Sequence, residues 1–340
     1  MADALLSPVV GGVMLLSTVG VGTYAVRQLQ DQLEDKKVPL MGVMGAFIFA
    51  SQMINFTIPG TGSSGHIAGG LLLSVLLGPS AGFLTMAALL LIQALFFGDG
   101  GLLAYGANVF NLGFFACFIA YPLIYKRMTQ EGQTPRKIWV ASLVASVIAL
   151  QLGSFAVVIE TVLSGKTELP FGTFLLLMQP IHLAIGVVEG LITASVITFI
   201  WAARPELLDQ RDKVEARKSL KFRTVYVILL ALCVFIGGTL SWFASSNPDG
   251  LEWSIFHTTG SVELESTDPI HHFFEELQSQ IVPFPDYAFK TDAAPQNETA
   301  EESWPNISSG TSFSGLVGGT LTFVLALLMG WIIVIIKKRK

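Results

Sequence analysis

Long apolar runs alternate with short charged segments along most of this chain. The first run, from Leu5 to Val26, is glycine-rich and stops at the charged segment Arg27 to Lys37. No basic segment precedes it, so it reads as a span rather than a cleaved signal. The second runs from Val38 to Phe56. Ile67 to Phe97 is apolar over a length too great for one ordinary span of about 20 residues, and Gly78-Pro79 falls in its middle. Proline blocks helix continuation and restricts the residue before it. The run therefore divides into a short segment, Ile67 to Leu77, and a full one, Ala81 to Phe97. Further spans are Leu102 to Tyr125, Ile138 to Leu163, Phe171 to Ala203, Thr224 to Phe243 and Phe313 to Ile336. The pattern predicts an all-α polytopic membrane protein of about nine transmembrane segments, seven plus two.

The basic residues set the expected orientation, because Lys and Arg concentrate in short cytoplasmic loops. Arg27 with Lys36 and Lys37, the Lys126 to Lys137 loop, the 204–223 loop and the terminal Lys337 to Lys340 hold most of them. One side of the membrane takes all four if the N-terminus lies outside and the C-terminus inside. The Pro59 to Gly70 loop, the Asp99 turn and an outer loop domain, residues 245–313, then share the outer face.

Composition agrees with this class. Of 340 residues, 52% are hydrophobic and 13% charged, where soluble domains carry about 25% charged residues. Cys117 and Cys233 lie inside apolar runs and supply neither zinc spacing nor a disulfide framework. The outer loop changes the charge picture: residues 245–313 hold twelve Asp and Glu against one Lys. Such a region raises the local concentration of cations, although its end, 290–312, also has the composition of a solvated linker. Asn247-Pro248-Asp249-Gly250-Leu251-Glu252-Trp253 carries turn chemistry with apolar anchors. The chain has no Walker A sequence, no His-Glu-x-x-His, no nucleophile elbow and no nucleotide fingerprint. It is therefore expected not to be an enzyme, and nothing in it points to nucleic acid.

Candidate chemistry is sparse. Pro59 to Gly70 is a glycine-rich loop with one histidine, His66, set between two apolar runs. Imidazole is the commonest protein ligand of late divalent metals, and a plain interfacial loop fits the same residues. Ionisable residues inside a membrane are costly and mark function or bracing. Here they are Glu160, His182 and Glu189, with Asp99 at an outer turn. His182 and Glu189 are two helical turns apart and share a face. Gln52, Gln93, Asn108, Asn111 and Gln151 suit hydrogen bonds between helices. His271-His272 reads as exposed surface, with a weak metal contact as the alternative.

These segments resemble a known family. Val38 to Val43, Phe47 to Phe56, Gly62-Ser63-Ser64-Gly65-His66, Gln93 to Ala104, Asn108 with Asn111, and His182 through Gly190 are similar to the CbiM/NikM substrate-capture components of energy-coupling factor transporters. Pro248 to Trp253, directly after a span, resembles the signature of the PDGLE-type small subunit, CbiN/NikN-like, fused in the same chain. The resemblance implies a metal-capture membrane domain at 1–203, a cytoplasmic linker at 204–223 and a two-helix domain at 224–340. It implies uptake of Co2+ or Ni2+ across a prokaryotic inner membrane, with no organic cofactor. It also implies partners: a membrane coupling subunit (CbiQ/NikQ-like) and ATPase subunits (CbiO/NikO-like). In the family the metal is held by nitrogen: the N-terminal amine, here Met1, the amide and ring of a histidine at position 2, and His66. Gln52, Asn55, Ser64, Asp99, Asn108, Asn111, His182 and Glu189 would then be supporting or pathway residues. The chain departs from the pattern at position 2, which is Ala2. Relatives often begin Met-His-Met-Ala-Asp, so a start read two residues late is the simplest expectation. Two other functions compete: capture of a vitamin-type organic micronutrient with the same partner ATPases, and proton-coupled metal carriage through His182 and Glu189.

Overall fold

The computed structural model describes residues 3–33, 35–166, 170–208, 220–260, 268–290 and 304–339. Its helices are α1 (Pro8–Gln32), α2 (Val38–Gln52), α3 (Gly70–Leu77), α4 (Pro79–Phe97, ending in a π-turn), α5 (Tyr105–Thr129), α6 (Pro135–Ser164), α7 (Phe171–Ala203), α8 (Phe222–Gly238), α9 (Gly250–Thr259), α10 (Pro269–Ile281) and α11 (Ser309–Arg339). A small antiparallel hairpin, β1 (Phe56–Ile58) and β2 (Ser63–Gly65), sits between α2 and α3 with Phe56 opposite Gly65.

Helix starts follow local chemistry. The Ser7 hydroxyl accepts the Val10 N–H ahead of Pro8, and Thr134 accepts the Lys137 N–H ahead of Pro135. A polar cap followed by proline meets the orphan N–H groups of a first turn. Gly78 adopts φ 89°, which ends α3, and Pro79 opens α4 at once. The break expected at Gly78-Pro79 is thus present.

The segment before that break differs from the sequence expectation. Among the described residues six helices are long and apolar enough to cross a membrane: α1, α4, α5, α6, α7 and α11. α2 and α8 are shorter apolar helices. Instead of a span from Ile67 to Leu77 there is an eight-residue helix, α3, preceded by non-helical chain. Eight residues rise about 12 Å, against a hydrocarbon core of about 30 Å. Every residue of α3 is buried. The second predicted span also stops early: α2 ends at Gln52, and Phe56 already belongs to β1. The cause is the Pro59 to Gly70 sequence, whose backbone forms a hairpin and then re-enters the bundle as extended chain.

The two sequence regions form one body. α11 lies against α2, where Gly318 meets the Phe49 ring and Gly42 meets Phe323. α8 and α11 touch backbone to backbone at Gly237 and Gly315. Small residues let helices approach closely where lipid offers no hydrophobic drive. At one end of the bundle the Lys337 ammonium donates to the Leu33 carbonyl (3.1 Å) and Lys338 pairs with Asp35 (2.6 Å). The basic tail therefore lies beside the charged segment that follows α1. At the other end lie the hairpin, the Asp99 turn and the described parts of residues 245–313. The acidic stretch 291–303 is outside the described residues.

Replacing Gly315 by Leu drives a side chain into the Gly237 backbone. The expected cost is about 1–3 kcal/mol, read as a lower thermal-unfolding midpoint in detergent. Gly12→Ala, where a Cβ meets open space, leaves the midpoint unchanged.

Candidate functional site

His66 follows β2 and begins the extended chain that enters the bundle. Non-helical backbone at membrane depth survives only where its polar groups find partners inside the protein. Here they do. The Ala68 and Gly69 N–H groups donate to the Glu189 carboxylate, at 2.7 Å to Oε2 and 3.2 Å to Oε1. From the other side Gln52 Nε2 donates to the Ala68 carbonyl (2.9 Å), and Gln93 Nε2 donates to Gln52 Oε1 (2.9 Å). Gly70 then passes so close to α5 that a Cβ would lie 2.6 Å from the Leu112 carbonyl oxygen. The Gly69-Gly70 pair thus meets a close-packing requirement.

A cavity of about 140 Å³ lies under this loop. His66, Asn108, Asn111, His182, Glu189 and Asp249 supply its polar wall. The His66 Nδ1 lies 3.1 Å from the Ile67 carbonyl, and the His182 Nδ1 lies 2.8 Å from the Met178 carbonyl. A carbonyl only accepts, so each ring places its proton on Nδ1. In the neutral ring Nε2 then keeps its lone pair, the tautomer that binds a metal. The Asn111 Nδ2 donates to Glu160 Oε2 (2.8 Å), and its buried Oδ1 has no hydrogen-bond partner. The cavity thus offers imidazole nitrogens, an amide oxygen and carboxylates, a donor set suited to borderline divalent ions. Among the described residues no three His, Cys, Asp or Glu side chains converge to hold an ion, so His66 needs donors of another kind.

The second sequence region closes the cavity. Ser64 and Asp249 form a parallel β-bridge. The Ser64 N–H donates to the Pro248 carbonyl (2.8 Å), and its hydroxyl donates to the Asn247 carbonyl (2.7 Å). Asp249 caps α9, accepting the Leu251 and Glu252 N–H groups (both 2.8 Å), while Glu252 returns a bond to the Asp249 N–H. This capping box holds Gly250 against His182, where a Cβ would lie 3.4 Å from the ring.

The other sequence-derived residues fall elsewhere. The Asn55 carbonyl accepts the Ser245 N–H (2.7 Å), joining α2's end to the loop after α8. Asp99 is exposed and accepts the Tyr287 hydroxyl (2.6 Å). Burial and the Asp99 carboxylate push the Tyr287 phenol well above its ordinary value, keeping it a donor. Asp99 is not part of the cavity wall. Met1 lies outside the described residues. The expectation of a surface His271 is corrected: it is 4% exposed and faces the Leu6 carbonyl. Asp249 was visible only as turn chemistry, and its place opposite His182 had no signal in the sequence.

Comparison with known proteins places the chain. Residues 1–207 match the model described as the cobalt uptake substrate-specific transmembrane region, CbiM, and residues 223–335 match the PDGLE domain. This chain belongs to the CbiM family. A protein of Haloquadratum walsbyi named for metal transport is 38% identical over 208 residues, 61% of this chain and 91% of that protein. The fused nickel transport protein NikMN of Rhodobacter capsulatus is 32% identical over 245 residues, 68% of this chain and 70% of that protein. A solved structure described as a transition metal transporter is 30% identical with TM-score 0.54, covering 64% of this chain and 99% of that one. The chain is thus a multi-pass membrane protein with a PDGLE domain fused behind its CbiM region.

Removing Glu189 leaves two buried N–H groups without an acceptor, at about 1–3 kcal/mol each. Glu189→Leu is expected to lower the unfolding midpoint and to speed amide exchange at Ala68 and Gly69 by mass spectrometry. Ser195→Ala, exposed on the same helix, changes neither.

Proposed function

We propose that this chain is the substrate-capture component of an energy-coupling factor ABC transporter that takes up Co2+ or Ni2+, for cobalamin biosynthesis or nickel enzymes. The observation that carries the reading is the His66 ring, its Nε2 lone pair left unspent beside a small cavity lined by a second imidazole. Cavity size favours an ion over the vitamin-type alternative. About 140 Å³ has room for a few waters or a partly hydrated ion, whereas organic ligands occupy roughly 300–1,000 Å³. Membership of the CbiM family and the nickel transport named for the Rhodobacter relative support the same choice.

The finer reading is as follows. The N-terminal amine, here that of Met1, joins His66 in a nitrogen field around the ion; in a form carrying Met-His ahead of Met1, the new terminal amine and the amide and ring of the added histidine would complete that field. Such a field suits Ni2+ and accepts Co2+. The N-terminus and the cavity mouth face outward, the basic tail faces the cytoplasm, and α3 with its extended lead-in counts among about nine membrane segments. A CbiQ/NikQ-like coupling protein and CbiO/NikO-like ATPases supply the energy. Proton coupling through Glu189 is disfavoured, because both of its oxygens already hold the loop backbone.

The test is metal content by mass spectrometry after exposure to equal Co2+, Ni2+ and Zn2+. The chain as written and a form with Met-His ahead of Met1 are each measured with and without His66→Ala. The extended form is expected to keep about one Co2+ or Ni2+ per chain and to lose it with His66→Ala. Retention unaffected by His66→Ala, or a bound organic compound in place of metal, sinks the reading. Uptake in cells that lack the partner ATPases is expected to vanish, and persistence would favour a proton-coupled carrier. The acidic outer loop adds a kinetic expectation: Glu275→Gln with Glu276→Gln slows capture at low salt, and the difference disappears at high salt.

A further inference from the structure

Glu160 is a buried carboxylate that takes no part in the cavity wall. It is 5% exposed on α6, and the residues of α6 that line the cavity end at Val157. Its Oε2 accepts the Asn111 Nδ2 N–H at 2.8 Å. Asn111 is equally buried and does line the cavity. The two side chains meet because α5 and α6 come close here. A Cβ on Gly153 would lie 2.8 Å from the Asn111 carbonyl oxygen. Glu160 stands seven residues beyond Gly153, two turns along the same face.

An ionised carboxylate only accepts, so Asn111 must turn its NH2 group towards Glu160. The Asn111 Oδ1 is then turned away from Glu160, and it is buried with no hydrogen-bond partner. A buried acceptor without a donor is costly and rare. An amide in place of Glu160 would not fix this orientation, because two amides can pair either way round. The carboxylate therefore selects one of two amide orientations. The one selected leaves the cavity an oxygen, which carries partial negative charge, and not an NH2 group. For a cation in the cavity the difference is one of sign. The cavity of about 140 Å³ has room for a few waters beside an ion. Water on a divalent ion is polarised and donates strongly.

We propose that Glu160 is a positioning residue: it holds the Asn111 amide with Oδ1 facing the cavity, where that oxygen accepts a hydrogen bond from water on the captured divalent ion. The role of Glu160 differs from that of Glu189. Glu189 accepts from the loop backbone, whereas Glu160 accepts from one side chain and acts on the cavity only through it. The consequence for the ion rests on the metal-capture reading given above. The orientation of the amide does not.

The experiment uses the full chain with Met-His ahead of Met1, and compares it with Glu160→Leu, Glu160→Gln, Asn111→Leu and the Glu160→Leu/Asn111→Leu double variant. It reads Co2+ affinity by titration and the side-chain amide signals of isotope-labelled asparagine by NMR. Asn111→Leu removes one amide pair from the spectrum and so identifies it. Each single Leu variant is expected to weaken Co2+ binding about tenfold, and Glu160→Gln, which keeps an acceptor, to stay within about threefold. The double variant is expected to be no weaker than Asn111→Leu alone, because Glu160 acts through Asn111. Without metal, the Asn111 amide pair shifts in Glu160→Leu and, by less, in Glu160→Gln. Unchanged affinity in Asn111→Leu overturns the proposal. So do losses that multiply to about a hundredfold in the double variant. If Glu160→Leu fails to fold, the Asn111→Leu affinity and the amide pair in Glu160→Gln decide, and a pair that does not move counts against the proposal. If the parent chain holds no Co2+, the capture reading falls, and the amide pair alone decides the positioning.

Discussion

A backbone that leaves helical geometry inside a membrane must find every hydrogen-bond partner within the protein. The chain from His66 to Gly69 does this through one carboxylate and two amides. Glu189 takes two N–H groups, and the Gln52–Gln93 pair serves the carbonyl on the opposite side. The placement of His66 depends on that arrangement, and so does the cavity beneath it. It also explains why an acidic residue sits in the middle of α7. The carboxylate is a backbone acceptor first, and the cost of burying it is offset by two directed bonds.

The PDGLE part is built into the same structure. Its Asp249 pairs with Ser64 one residue before Gly65 and His66, so the hairpin that presents His66 gains a third strand-like neighbour from the other sequence region. Its helix α11 packs through glycines on α2, the helix that supplies Gln52. Its helix α10 reaches the segment before α1 through His271. Three separate contacts from the PDGLE part therefore reach the hairpin, α2 and the segment before α1. Fusing the two parts into one chain raises the effective concentration of these contacts far above that of free subunits.

The helical membrane class and the Gly78-Pro79 break were legible in the sequence, because hydropathy and proline geometry act locally. So was the singular character of His66, as the lone imidazole in a glycine-rich loop. The length of α3 was not. An apolar run reports burial, and burial by protein looks the same as burial by lipid. Gln52 and Glu189 were visible as polar residues in apolar runs, but their shared task depends on a loop 16 residues from one and about 120 from the other. His271 was misread for a related reason. It sits in a polar, acidic stretch whose pattern signals exposure, and only the distant Leu6 carbonyl gives it a reason to be buried.

The tautomers of the two cavity histidines carry the argument one step further. A ring nitrogen that binds a metal must be free of its proton, and the opposite nitrogen must hold that proton somewhere. In His66 and His182 the proton is directed to a main-chain carbonyl, not to a carboxylate. A carbonyl partner makes the imidazole a weaker donor than a carboxylate partner does. For an enzyme that keeps its metal this would be a disadvantage. For a protein that must take an ion from dilute solution and later release it, moderate donors are the better solution. On the metal-capture reading proposed above, tight holding would then rest on the cover that Asp249 and Gly250 place against His182 and not on the intrinsic strength of the ligand bonds.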